Sequence, residues 1–156
     1  MARRRRATKR EISPDPKYNS VYVAGFINRV MTRGKKSTAQ RIVYDALNIV
    51  EKENSRDPLE TFNQAIRNAT PQLEVKPRRV GGATYQVPIE VRSSRQLSLA
   101  MRWLLRASRA RTGRPMAERL ALELQEASRG QGAAVRRREE IHRMAEANRA
   151  FVHYRW

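Results

Sequence analysis

The hydrophobic period of this chain changes once, and that change limits what it can fold into. From Ser20 to Ala69, and again from about Ser93 onward, apolar residues recur at helical spacing. From Gln72 to Val91 they alternate every second residue, with Leu73 and Val75 on one side of Pro77-Arg-Arg-Val-Gly-Gly82 and Tyr85, Val87, Ile89 and Val91 on the other. Two period-2 runs separated by a glycine turn predict a β-hairpin. Pro77 and Pro88 cannot donate to a ladder, so neither run suits the centre of a large sheet. The expected fold is mainly α: about six helices, with a two-stranded β-ribbon at about 72–91 projecting between the third and fourth. Strands of this length extend roughly 25 Å at about 3.4 Å per residue.

The helices carry local punctuation. Ser20 is an expected N-cap for a helix turning Val23, Phe26, Ile27, Val30 and Met31 inward and closing at Gly34. Ser37 is expected to cap the second helix, with Ile42, Val43, Ala46, Leu47 and Val50 inside. Asp57-Pro58 opens the third, where Leu59, Phe62, Ile66 and Ala69 form the inner stripe. Further helices are expected at about 93–109, 115–128 and 134–150. Met116, Leu120, Leu124 and Ala127 line the fifth, which Gly130 and Gly132 end; Ile141, Met144, Ala145 and Phe151 line the sixth. In the fourth, Leu97, Ala100, Met101, Leu104 and Ser108 share one face while Arg95, Arg102, Arg106 and Arg109 lie nearly opposite; Leu99 falls among the arginines as an exception. No internal repeat is visible. Residues 1–18, with Pro14, Pro16 and no apolar period, read as an extended basic arm ahead of a single helical domain over 19–156. Ten such residues reach about 33–36 Å.

Charge narrows the function. The 156 residues hold 33 Lys or Arg against 15 Asp or Glu, a net charge of +18. Such a charge opposes compaction unless an anionic partner neutralises it, and nucleic acid is the first candidate, an anionic membrane surface the second. The charge is also segregated. Arg3, Arg4, Arg5, Arg6, Lys9 and Arg10 precede the first acid, and no acid occurs from Val91 to Ala117, where Arg92, Arg95, Arg102, Arg106, Arg109, Arg111 and Arg114 lie. Residues 45–63 are near neutral. One basic and one near-neutral side describe a nucleic-acid binder better than a uniformly solubilised surface. Of the basic residues 27 are Arg and 6 Lys; Arg adds bidentate phosphate binding and base stacking.

Catalytic readings fare poorly. There is no cysteine, hence no disulfide, thiolate metal site or Cys nucleophile. No apolar run approaches the roughly 18 residues of a membrane span, and no apolar h-region follows the basic N-terminus, so a soluble intracellular protein is expected. Gly34-Lys-Lys-Ser37 lacks the upstream glycine of a phosphate-binding loop, and Gly81-Gly82 lacks dinucleotide-fingerprint spacing. Glu139 and His142, one turn apart, are the best acid/base or metal pair, as a nuclease would use. Arg136, Arg137, Arg138 and Arg143 surround them and disfavour a divalent cation. His153, in His-Tyr-Arg-Trp156, reads as a packing or stacking residue. No metal, cofactor or active site is expected.

Four stretches together resemble the bacterial type of the small-subunit ribosomal protein seven family: Gly34-Lys-Lys36 with Ile42-Val43 and Ala46; Arg78-Arg-Val-Gly-Gly-Ala-Thr-Tyr-Gln-Val-Pro88; Leu99-Ala-Met-Arg-Trp-Leu104; and Arg143-Met-Ala-Glu-Ala-Asn-Arg-Ala-Phe-Val-His-Tyr-Arg-Trp156. The likeness runs in order from the first Arg block to the last residue. It implies a non-enzymatic, cytoplasmic constituent of the ribosome that binds the 3′ major domain of small-subunit ribosomal RNA and helps nucleate the head of that subunit. The implied RNA contacts are Arg3, Arg4, Arg5, Arg6, Lys9 and Arg10 in the arm, Arg33, Lys35 and Lys36 in the first inter-helix loop, and Arg92, Arg95, Arg102, Arg106, Arg109 and Arg114 on and after the fourth helix. In the ribbon they are Lys76, Arg78, Arg79, Gly81, Gly82 and Tyr85, with tRNA or ribosomal RNA, and at the C-terminus Arg143, Arg149, Tyr154, Arg155 and Trp156. Ribbon and C-terminal helix are together expected near exit-site tRNA and the messenger RNA exit path, with platform protein eleven as a neighbour. Two departures stand out. The loop Glu51-Lys-Glu-Asn-Ser-Arg-Asp57 lacks an expected glycine, and Arg136-Arg-Arg138 stands where lysines are common. A DNA-architectural protein and the metal-dependent nuclease are the competing expectations.

Overall fold

The computed structural model of the chain describes residues 10–54 and 57–154. It contains α1 (Val21–Val30), α2 (Lys36–Asn54), α3 (Pro58–Ala69), β1 (Leu73–Val80), β2 (Ala83–Glu90), α4 (Ser93–Ala110), α5 (Met116–Ser128), α6 (Gly132–Ala147) and a terminal 3₁₀ helix (Arg149–Tyr154). The expected architecture, a helical body with a hairpin between the third and fourth helices, is present.

α5 is the axis of the body, packing against α2, α3, α4 and α6. Its Leu120, Leu124 and Ala127 are buried, as are Val43, Ala46, Leu47 and Val50 of α2, Phe62, Ala65, Ile66 and Ala69 of α3, and Ala100, Met101 and Leu104 of α4. Phe26 of α1 meets Phe62 edge to face with centroids 5.4 Å apart. Side chains of this size each stabilise the fold by about 1.5–3 kcal/mol through burial.

Local chemistry sets several boundaries. Ser20 Oγ accepts from Val23 N and Asp57 Oδ1 from Leu59 N at 2.9 Å, so both expected caps form. Ser37 does not cap α2; the helix begins one residue earlier, and Ser37 lies exposed in its first turn. α1 ends at Val30 rather than at Gly34, because its C-cap Met31 already leaves the helical region (ψ 131°); Arg33 and Gly34, with positive φ (52° and 75°), then turn the chain toward α2. The sixth helix is earlier and shorter than expected. It starts at Gly132, breaks at Asn148, and leaves Phe151 on the 3₁₀ helix that follows.

The hairpin pairs Val80 with Ala83 across Gly81-Gly82. Both glycines have positive φ (57° and 90°), the two-residue turn that matches strand twist. Val87, Pro88 and Val91 are buried at the base, whereas residues 76–79 and 81–84 are exposed. The ribbon is thus rooted in the body and exposed at its tip.

Candidate nucleic-acid interface

α4 presents its basic face as its periodicity requires. Ala100, Met101, Leu104, Leu105, Ala107 and Ser108 face the core, while Arg95, Arg102, Arg106 and Arg109 are exposed. α1 lies against this helix. Arg29 Nη2 donates to Ser98 Oγ at 2.9 Å, and Arg109 Nη2 donates to the Val30 carbonyl at 3.3 Å, next to the loop that leads to α2. That loop carries Arg33, Lys35 and Lys36, all exposed. Lys36 N donates to Gly34 O and Lys35 N to Thr32 O, which holds the turn at the N-terminus of α2. The start of the loop therefore lies beside the basic face of α4. Exposed amide donors of a helix N-terminus add to the same anion-attracting field.

Arg29 was not among the expected contacts. Burial, and then the neighbouring Arg102 guanidinium, lowers its pKa from the ordinary value. Two guanidiniums repelling each other mark a surface short of counter-charge, which a phosphate relieves. The available sequence signal is that Arg29 is the one basic residue of α1, a turn before Arg33.

Three arginines of the acid-free stretch have other engagements. Arg95 makes a two-oxygen contact with Glu74 of β1 at 2.8–3.1 Å, and the partnership raises its pKa. Arg111 turns inward to Glu123 and Glu126, with the Glu126 bond first among the influences raising its pKa. Arg109 is shared with the Val30 carbonyl. By contrast, Arg102 and Arg106 make no ion pair among the described residues. Arg92 and Arg114 are exposed at the two ends of this region.

The ribbon and the C-terminus form a second cluster. Lys76, Arg78 and Arg79 are exposed near the glycine turn, Lys76 lying 3.7 Å from Glu74. Tyr85 packs against Phe151 and Tyr154, with centroids 5.0 and 5.3 Å away. It is thus part of an aromatic cluster that fastens the 3₁₀ helix to β2, rather than a lone ring beside the tip. Arg143 and Arg149 are exposed, the latter paired with Glu146. Arg10 is exposed at the start of the described chain. The turn after it is anchored: Asp15, 3% exposed, accepts from Lys17 N and Tyr18 N and from Tyr44 Oη of α2 at 2.7 Å. Gln40 Nε2 donates to Tyr44 Oη at 2.7 Å, and Tyr44 lies eight residues along α2 from Lys36, about 12 Å at 1.5 Å per residue. Arg3, Arg4, Arg5, Arg6, Lys9, Arg155 and Trp156 lie outside the described residues, as does part of the glycine-free loop after α2.

His142 has a structural partner. Its Nε2 accepts from Gln72 N at 3.0 Å, while Glu139 lies beside Arg138. Burial, then the Arg138 charge, lowers the His142 pKa. The lone pair a metal would need is thus used to tie α6 to the foot of β1. Among the described residues no group of three or more His, Asp or Glu is placed to hold a metal, and no helix is long and apolar enough to cross a membrane.

Comparisons with known proteins identify the family of the chain. The family model described as ribosomal protein S7p/S5e matches residues 2–149. A small ribosomal subunit protein uS7 of Dehalococcoides mccartyi is 62% identical over 156 residues, covering 100% of both chains. Those of Chloroflexus aggregans and Kosmotoga olearia are 60% and 58% identical over 154 residues, covering 99% of this chain and 98% and 99% of theirs. With a family model spanning nearly the whole chain and relatives this similar end to end, the chain belongs to the ribosomal protein S7p/S5e family.

Proposed function

We propose that this chain is a structural constituent of the small ribosomal subunit in the bacterial cytoplasm, with no catalytic step of its own. Within that role it binds the 3′ major domain of small-subunit ribosomal RNA and nucleates assembly of the head. The observation that carries this reading is that α1, tied to α4 through Arg29–Ser98 and Arg109–Val30, brings the start of the Arg33–Lys36 loop beside the Arg102–Arg106–Arg109 face. A surface of that breadth engages phosphates of separate strands at once. Neutralising both sides of an RNA junction lowers their mutual repulsion, and that is how a protein without a pocket folds RNA.

The ribbon tip with Arg78 and Arg79, and the C-terminal residues Arg149, Tyr154, Arg155 and Trp156, extend the same reading. They are assigned to contacts with exit-site tRNA, the messenger RNA exit path and platform protein eleven. A ribbon rooted in the body with an exposed glycine turn flanked by basic residues supports this.

The test is competition across a salt series between a 3′ major-domain RNA fragment, tRNA and duplex DNA. Preference for the fragment that persists at physiological salt is expected. Equal and steeply salt-sensitive binding to all three would reduce the protein to a generic polycation and favour the DNA-architectural reading.

A further inference from the structure

α4 and α6 diverge beside Trp103, leaving an open cleft of about 360 Å³ lined by Trp103, Arg106, Ala107, Ala110, Ala133, Ala134 and Arg137. That volume falls within the range of small-ligand sites. On α4 the wall is an i, i+3, i+4, i+7 stripe, so the indole, one guanidinium and two methyl groups stack along one side. On α6 the facing residues are two alanines and Arg137. Ala107 and Ala134 are buried and form the floor; Trp103 packs on the core yet remains part-exposed.

A second shallow cleft touches the other side of Trp103 and Arg137, but Glu74 lines it. The α4–α6 cleft has no acidic lining residue. A third, lined by Arg136, Arg143, Glu139 and Glu140, adjoins it through Ala133 and Arg137, so its three arginines face two carboxylates. Arg137 is steadied by Glu140 one turn along. A partner side chain seeking an apolar groove would meet cations at both rims, whereas a nucleotide satisfies ring face and rims together. Aromatic rings beside guanidiniums hold unstacked bases in this way, because every base has a π-face and every linkage a phosphate.

We infer that the cleft between α4 and α6 is a subsite for one unstacked RNA base, with the Trp103 indole as stacking platform and Arg106 and Arg137 holding the flanking phosphates. The inference rests on the RNA-binding reading above and specifies a place where it acts.

The test uses the full chain with Trp156→Phe, which leaves Trp103 as the sole tryptophan. Binding is followed by anisotropy of labelled RNA, and base stacking by quenching of the Trp103 emission. The probes are the 3′ major-domain fragment, a single-stranded oligoribonucleotide and its abasic counterpart with the same phosphates. Base-bearing RNA should quench Trp103 along the binding isotherm, and the abasic strand should bind without quenching. By anisotropy, Trp103→Leu should weaken binding about 5- to 150-fold with its salt slope unchanged, and Trp103→Phe, which keeps a smaller ring, should weaken it less. RNA that binds without quenching overturns the subsite and leaves the RNA-binding reading intact, as does equal quenching by the abasic strand. An emission shift with an acidic amphipathic peptide but not with RNA overturns it in favour of a protein partner. Failure of the fragment to bind at all overturns both.

Discussion

Glu123 is fully buried where three elements meet. Its Oε2 accepts from Arg111 Nη2 at 2.7 Å, and its Oε1 accepts from Ala134 N at 3.0 Å in the first turn of α6. Gln131, the N-cap residue, supplies no side-chain bond there, so a carboxylate from α5 performs the capping. Gly132 is required beside it: at φ +91° a Cβ would stand 3.0 Å from Glu123 Oε1. Glu123→Ala removes the partner of a part-buried guanidinium and an amide acceptor together. A loss of about 2–4 kcal/mol is expected in urea unfolding; a loss under about 1 kcal/mol would mean that the carboxylate is merely tolerated. His142 offers a second residue-scale prediction. Because folding lowers its pKa, the unfolded chain binds more protons in the window below the ordinary value. The contribution is complete above about pH 6.5 and is lost as pH falls toward the folded value. Comparison with His142→Gln, which keeps an acceptor without titrating, should show wild-type stability falling faster from pH 7 to pH 5. The protection of the Gln72 amide, measured against its intrinsic exchange rate at each pH, should fall over the same range, and parallel pH profiles for the two proteins would contradict this.

At the scale of elements, what was legible in the sequence was what neighbouring residues decide. Ser20 and Asp57 announce helices because a cap acts within one turn, and Gly81-Gly82 announces the hairpin because only the turn itself needs positive φ. Leu99 appeared misplaced on the basic side of α4. The structure sets it in the cleft beside Glu74, Val75, Ile141 and Met144, so its burial comes from the ribbon foot and α6, which the period of α4 does not encode. Arg95 was illegible for the same reason: its carboxylate partner is 21 residues away on β1. It is a positioning residue for the ribbon before it is a phosphate ligand. Arg95→Gln should therefore change the salt slope of RNA binding little, while raising hydrogen exchange at the ribbon foot around Glu74. A slope reduced as much as by Arg102→Gln would show that Glu74 yields Arg95 to RNA. The 3₁₀ helix has a comparable role at Tyr85. Phe151→Ala removes half of the aromatic seat, and exchange of the β2 amides near Tyr85 should rise severalfold, with the midpoint of body unfolding nearly unchanged. Equal exchange would mean the clasp does not restrain the ribbon.

At the scale of the whole molecule, the charge of +18 becomes intelligible as a surface. Three acids are engaged within the fold, Glu123 with Arg111 and α6, Glu74 with Arg95, Asp15 with Tyr44 and its own turn, while Arg102, Arg106 and the Arg33–Lys36 loop keep their charges facing outward. The sequence showed that two basic segments exist; only the packing of α1 on α4 makes them neighbours. That neighbourhood is the central claim, and the salt dependence of affinity for a 3′ major-domain RNA fragment tests it most directly. The comparison is between wild type and a folded variant with Arg33, Lys35, Lys36, Arg102, Arg106 and Arg109 all changed to Gln. Loss of six phosphate contacts should lower the magnitude of the log–log slope by about 4–5. A folded variant that binds with the wild-type slope would contradict the account and place the RNA on another face.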